Sequence, residues 1–169
     1  LLGMPFPDMN GAVDILDLHL ATVMERDIDT PADALIHDRG NANAVIRTAD
    51  GFGFQSIHQV EALEKTEIAN RVTQGADQWI DLKSWKNPKD CAEYLKKNGF
   101  RIAVTEFENS LSIQEIDFTQ PTAIVFGNEK EGVSEELKEV ADIRFKIPMI
   151  GFVQSFNISV AAAISLYHI

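Results

Sequence analysis

The chain has 169 residues, 45% of them hydrophobic, which suits one domain with a substantial core and is a globular rather than a disordered composition. Its formal net charge is −11, which taken alone argues against a nucleic-acid binder, because phosphate neutralisation drives that affinity. The single cysteine, Cys91, excludes an internal disulfide and a cysteine-rich zinc site, and fits a reducing cytoplasm.

No apolar stretch is long enough to span a bilayer, and the apolar start "LLGM" lacks the basic flank and h-region of a signal peptide. A cytoplasmic location with no membrane partner is therefore expected. His19, His37, His58 and His168 form no close ligand pair, so they read as surface or packing residues and no metal is expected. The chain begins at Leu1 without a methionine and ends on Ile169 inside a helical pattern. Both ends leave room for flanking segments, and basic ones would offset the acidic charge.

In chain order, Asp8 to Asp27 reads as an amphipathic helix with Leu16, Leu20, Val23 and Met24 on one face, broken by Thr30-Pro31. Ala34 to Ile36 reads as a short buried strand. Asn41 to Gly51 is a helix with Ala42, Val45, Ile46 and Ala49 on one face, and Gly51 stops it. Ser56 to Val60 is a strand. Lys65 to Gln74 is a helix closed by Gly75, and a strand follows near Trp79 to Leu82. Pro88 opens a helix through Lys97 that Asn98-Gly99 ends. Arg101 to Thr105 and Thr122 to Phe126 are strands, Ser134 to Val140 a helix, and Ile143 to Ile147 the last strand. Asn157 to Tyr167 is a helix apolar nearly all round. Strands alternating with helices predict an α/β fold with a mostly parallel sheet, in a single domain over 1–169 with the N-terminal helix before its core. Such sheets bind ligands at the carboxyl ends of their strands.

Several site classes can be set aside. "GFGFQS" (Gly51 to Ser56) half-matches a dinucleotide loop but follows a helix and precedes a strand, so it reads as a helix stop and turn. "GNEKEG" is not a phosphate loop, since no Lys-Ser/Thr follows Gly132, and no G-x-S-x-G elbow is present. The cations form no basic stripe, and the aromatic residues suit a core better than a stacking platform.

Three clusters remain. In "NANAVIRTADGFGF", Asn41 and Arg47 bracket an apolar helix start. An Arg beside Ala and Ile is costly unless paired or aimed at an anion; otherwise it is a surface residue whose stem lies along the helix. In "FGNEKEGVSEE", an apolar strand ends in Gly127-Asn128-Glu129, and Ser134 caps the helix that follows with its hydroxyl. Either Asn128 and Glu129 orient a polar substrate, or this is an ordinary strand-to-helix turn. In "IPMIGFVQSFNISVAAAISL", Ser155 and Asn157 precede a helix too apolar to face water, which must be buried in this chain or against another. A capped core helix explains the helix but not the polar approach "GFVQS".

Together the three clusters resemble the signature motifs of the SPOUT superfamily, the knotted S-adenosylmethionine methyltransferases. Within it they look like the tRNA/rRNA ribose 2'-O-methyltransferase branch, and most like the enzymes that modify the D-loop guanosine of tRNA. The resemblance covers roughly Ala34 to the C-terminus. It implies that Asn41 and the catalytic Arg47 form the first motif, Gly127 and Glu129 belong to the second, and Ser155 and Asn157 to the third. By position it places contacts to S-adenosyl-L-methionine at Thr105, Gly127, Ile147, Met149 and Phe156. This sequence departs at Phe156, where a Leu is commoner, which should reshape the adenine pocket. Basic terminal segments that hold tRNA in such enzymes are not evident here.

The resemblance further implies a C-terminal deep trefoil knot threaded after Ile147, and a homodimer with each site near the interface. The implied reaction is attack of a ribose 2'-hydroxyl on a sulfonium methyl, without metal. A guanidinium is a poor base, so Arg47 is expected to clamp a phosphate and stabilise alkoxide charge, with Asn41 and Glu129 holding Arg47 or the ribose. Ser155 and Asn157 would shape the third loop. Rival readings are an enzyme for rRNA or for the tRNA wobble ribose, a non-catalytic RNA-binding SPOUT dimer, and a flavodoxin-type nucleotide module, against which the absent phosphate loop counts.

Overall fold

The computed structural model describes residues 20–25, 35–54, 56–60, 80–127 and 132–169. Seven strands form one sheet: β1 (Leu20–Glu25), β2 (Ser56–Val60), β3 (Asp81–Trp85), β4 (Arg101–Thr105), β5 (Leu111–Ser112), β6 (Thr122–Phe126) and β7 (Ile143–Lys146). Their order across the sheet is β3-β2-β1-β6-β4-β7-β5. Every pairing is parallel, so all carboxyl ends lie along one edge. The helices are α1 (Leu35–Gly51), α2 (Pro88–Lys97), α3 (Glu135–Val140) and α4 (Ile158–His168), with a short 3-10 turn at Ile113–Glu115. The expected α/β class with a parallel sheet is thus observed.

Strands β4 and β6 are buried on both faces, and alternation along them assigns each side chain to one face. Ala123 and Val125 of β6 and Ile102 and Val104 of β4 join Cys91, Leu95 and Leu137 under α2 and α3. Ile124 and Phe126 of β6 and Ala103 of β4 join Val45, Ala49, Phe145, Ala162 and Leu166 under α1 and α4. The all-apolar run Thr122–Phe126 is buried at every position, as a central strand requires.

Two expected elements are corrected. The helix expected over Asp8 to Asp27 is a strand where it is described: Leu20–Glu25 pairs with β2 on one side and β6 on the other. Pairing along both edges outweighs the helical spacing of a short apolar run, whose period alone cannot separate strand from helix. The rest of that span lies outside the described residues. The strand expected at Ala34 to Ile36 is instead the first turn of α1, from Leu35 onward. The strand expected near Trp79 to Leu82 runs over Asp81–Trp85, and the helix expected at Lys65 to Gln74 lies outside the described residues.

The "GFGF" turn is a helix stop. Gly53 takes φ +79°, and the N–H of Phe54 donates to the carbonyl of Ala49 at 2.9 Å. His58 is a packing residue. It is buried, and its Nδ1 accepts the indole N–H of Trp85 at 3.0 Å, which puts the proton of the neutral ring on Nε2. Burial foremost, then the charge of Lys83, lowers its pKa to about 4 against an opposing pull from Asp81.

Candidate active site

Strands β4, β6 and β7 are neighbours, and at their carboxyl ends the chain leaves the sheet three times. The three exits enclose a cavity of about 380 Å³, a size ordinary for a small-molecule site. Thr105, Glu106 and Phe107 come from the end of β4, and Phe126 and Gly127 from the end of β6. Ile147, Met149, Ser155 and Phe156 come from the long exit of β7, and Ile158 and Ala161 from α4.

The second exit is built around Gly127. A Cβ placed on it would lie 1.9 Å from the carbonyl carbon of Gly132 and 2.2 Å from the nitrogen of Val133. Gly127 is therefore needed because the chain folds back against it, and Gly132 makes that return with φ +73°. Asn128 and Glu129 lie outside the described residues. Ser134 occupies the N-cap position of α3, but the expected capping bond from its hydroxyl is not made.

The third exit ends in a polar joint. Asn157 caps α4: its Oδ1 accepts the backbone N–H of Ser159 at 2.9 Å and the Ser159 hydroxyl at 2.6 Å. With Oδ1 so engaged, the Asn157 Nδ2 points away and donates to Oδ1 of Asn41 at 3.1 Å. Two residues 116 positions apart thus meet, and Asn157 stands between Phe156 and Ile158 of the cavity wall. Ser155 lines the cavity beside them.

The structure therefore gathers Thr105, Gly127, Ile147, Met149, Phe156 and Ser155 around one space and ties Asn41 to Asn157 next to it. It does not bring Arg47 there. Arg47 is exposed on α1 and is not part of the cavity wall. The Thr105 hydroxyl is occupied with the carbonyl of Val125 at 3.2 Å, which leaves its backbone and methyl for the cavity.

Sequence reasoning missed an ion pair on the wall. Lys138 Nζ lies 3.0 Å from Glu106 Oε2 and 3.1 Å from Glu135 Oε1. The hydrogen bond to Glu106, then that to Glu135, raises the pKa of Lys138. Glu106 could have been found, because it directly follows the end of a central strand. Lys138 carried no such signal. Among the described residues, no group of three or more His, Cys, Asp or Glu side chains is arranged to hold a metal ion, and no helix is long and apolar enough to cross a membrane.

Comparison with known proteins shows the family and supports the fold. Residues 34–167 match the model of the SpoU rRNA Methylase family. The chain is 38% identical over 133 residues to the tRNA (guanosine(18)-2'-O)-methyltransferase of Escherichia coli K12, covering 78% of this chain and 58% of that protein. It is 41% identical over 128 residues to the Borreliella burgdorferi protein of the same name, covering 75% and 59%. The chain thus spans less than two thirds of the length of these relatives. The crystal structure of the Aquifex aeolicus TrmH/SpoU tRNA modifying enzyme superposes with a TM-score of 0.77 at 33% identity, covering 89% of this chain and 73% of that one. An AdoMet-bound rRNA methyltransferase from Sinorhizobium meliloti superposes with a TM-score of 0.75 at 26% identity, covering 89% and 55%.

Proposed function

Because the chain belongs to the SpoU rRNA methylase family, we propose that it transfers a methyl group from S-adenosylmethionine to a ribose 2'-hydroxyl of RNA, with the D-loop guanosine of tRNA as target. The observation that carries this reading is the cavity at the ends of β4, β6 and β7, with the Asn41–Asn157 bond beside it. Among the superposed structures the tRNA modifying enzyme is 33% identical against 26% for the rRNA enzyme, and the relatives named as tRNA guanosine enzymes are 37–41% identical, which favours tRNA over rRNA.

The residues present fit the cofactor. Phe126, Val133, Phe145, Met149 and Phe156 offer an apolar wall for an adenosyl group, and the half-buried Gly127 lies beside it. Bound there, S-adenosylmethionine would supply an electrophilic methyl on a sulfonium, so the protein's part is positioning and charge stabilisation. Asn157, fixed by Ser159 and Asn41, holds the third loop in shape. Arg47 binds a backbone phosphate and stabilises charge developing on the 2'-oxygen. Glu129 orients Arg47 or the ribose.

Arg47 lies outside the cavity wall, so it reaches the reacting ribose only across α1 or from a second copy of the chain. A homodimer meets this need. Exposed Val160 and Tyr167 on α4, with Phe52 at the end of α1, supply apolar surface for it. The same reading includes a trefoil knot made by the segment after Ile147. Its support is that this segment shares one cavity with the exits of β4 and β6, while β7 sits between β4 and β5.

The test is transfer of tritiated methyl from S-adenosylmethionine to total tRNA, followed by nucleoside mapping. We expect 2'-O-methylguanosine in the D-loop. Incorporation only into rRNA would replace the substrate, and binding of S-adenosylhomocysteine without incorporation into any RNA would end the catalytic reading.

A further inference from the structure

We propose that the Glu106–Lys138 ion pair is the subsite for the zwitterionic amino-acid end of the cofactor, with Lys138 facing its carboxylate and Glu106 its ammonium. This rests on the S-adenosylmethionine reading above and deepens it by assigning two side chains that none of the three motifs contains.

The argument begins with what the cavity offers. Beside the polar Thr105, Gln154 and Ser155 and the charged Glu106, Lys138 and Lys146, its wall has an apolar part made by Phe126, Val133, Phe145 and Phe156. That part suits an adenosyl group but not an α-amino acid, which carries opposite charges two bonds apart and loses water on entering. Such a group needs two opposite charges equally close together. Glu106 and Lys138 provide them 3.0 Å apart, with side chains 20% and 18% exposed. Pairing the two zwitterions head to tail satisfies all four charges without adding net charge to the cavity.

Both partners are held by rigid elements. The backbone N–H of Glu106 donates to the carbonyl of Phe145 at 2.8 Å, fixing the end of β4 against β7. Lys138 stands in α3, its backbone N–H bonded to the carbonyl of Ser134. An ammonium has three donors. Glu106 and Glu135 take two of them, which leaves a third for a ligand carboxylate. On Glu106, Oε2 faces Lys138 and Oε1 accepts the N–H of Phe107 at 3.2 Å, and each oxygen keeps a second lone pair for a ligand ammonium.

Calorimetry on the whole chain tests this with two probes. These are S-adenosylhomocysteine and 5'-methylthioadenosine, which lacks the amino-acid end. The wild type should bind S-adenosylhomocysteine at least about tenfold more tightly, the scale of one charge-assisted hydrogen bond. Glu106→Gln and Lys138→Met should each remove most of that preference and leave methylthioadenosine affinity within about twofold. A pair that only ties α3 to β4 predicts a lower melting temperature and equal losses for both ligands, and that result overturns the proposal. Should either variant fail to fold, analogues of S-adenosylhomocysteine lacking only the carboxylate or only the amine decide on the wild type. Each should bind about tenfold more weakly, and undiminished affinity overturns the assignment. A wild type that binds no adenosyl ligand overturns the cofactor reading itself.

Discussion

The two faces of the sheet are finished in different ways. Under α2 and α3 the chain closes on itself. Cys91, Ala92 and Leu95 turn inward from α2, Asn87 caps its start, and Lys96 pairs with Asp142, which also accepts the N–H of Ile102. His58, Trp85 and Tyr94 pack together there, with Lys83 4.7 Å from the Tyr94 ring centroid. The α1 and α4 face is built otherwise. Helix α4 buries Ala162, Ser165 and Leu166 yet leaves Val160 44% and Tyr167 80% exposed. The same face carries Asn41 and Arg47. One face is packed within the chain, and the other leaves apolar surface and polar groups exposed, which the proposed dimer would cover. Four perturbations test that division.

The largest effect is expected at α4. Val160→Asp places a carboxylate on each side of a two-fold interface, so its cost counts twice, together ~4 kcal/mol or about a thousandfold in dimer affinity. Light scattering at micromolar concentration should show a monomer. The melting behaviour of the separated chain should change little, because Val160 is 44% exposed within it. A wild type that is already monomeric and active would remove the outside partner from this comparison.

Next is Arg47→Ala, which should lower methyl transfer by about a hundred- to a thousandfold, the loss typical of one charge-stabilising donor. Melting temperature and cofactor affinity should hold, since the side chain is exposed and away from the cavity wall. Arg47→Lys should recover little, because an ammonium cannot make a bidentate clamp. Single-turnover rates set against thermal melts of the same samples decide. Near-wild-type turnover in Arg47→Ala would leave Arg47 as a plain surface residue.

These residues also show what could be read from sequence. β4, β6 and α2 were legible, because a continuous apolar run and a Pro…Asn-Gly frame admit few alternatives. β1 was not. Leu20, Val23 and Met24 fit a helical period as well as a strand, and only the flanking strands β2 and β6 settle the matter. Reading that run as a helix displaces the next element, and the start of α1 then reads as a strand. β3 was misplaced because an edge strand reading Asp-Leu-Lys-Ser-Trp has little apolar pattern. At the site, Asn41, Arg47 and Asn157 drew notice through their resemblance to known motifs. Nothing local in the sequence links Glu106 to Lys138, or Asn41 to Asn157; the parallel sheet and its crossovers bring them together.

On the closed face, His58 should confer pH dependence. Its folded pKa, about 4, lies below the ordinary 6.5, so folding favours the neutral ring. The contribution is fully present above pH 6.5 and is lost as pH falls through 4, ~3 kcal/mol in all. His58→Gln keeps an acceptor for the Trp85 N–H and does not titrate. Urea midpoints at pH 7 and pH 4.5 should converge in the variant relative to the wild type. An unchanged difference between the two pH values would mean that other groups carry the acid sensitivity.

The smallest effect comes from comparing two caps. Asn87 and Asn157 each accept a backbone N–H of the helix they open, from Asp90 at 2.8 Å and Ser159 at 2.9 Å. Their free amide nitrogens differ: Asn87 Nδ2 donates to Asp90 within its own turn, and Asn157 Nδ2 donates across the fold to Asn41. Asn87→Ala should cost ~1 kcal/mol, or about 2–4 °C in melting temperature, with methyl transfer per folded molecule unchanged. Asn157→Asp is the informative partner. A carboxylate caps a helix as well as an amide does, so stability should stay within about 0.5 kcal/mol of wild type. It cannot donate to Asn41, and the third loop loses its tie to α1. Methyl transfer should then fall by about tenfold, the scale of one positioned hydrogen bond, while Asn87→Asp, which sets a carboxylate against Asp90, should lower stability and leave turnover per folded molecule unchanged. If both Asp variants keep full turnover, Asn157 is a cap like Asn87, and the α1 and α4 face owes its function to Arg47 without the joint beside the cavity.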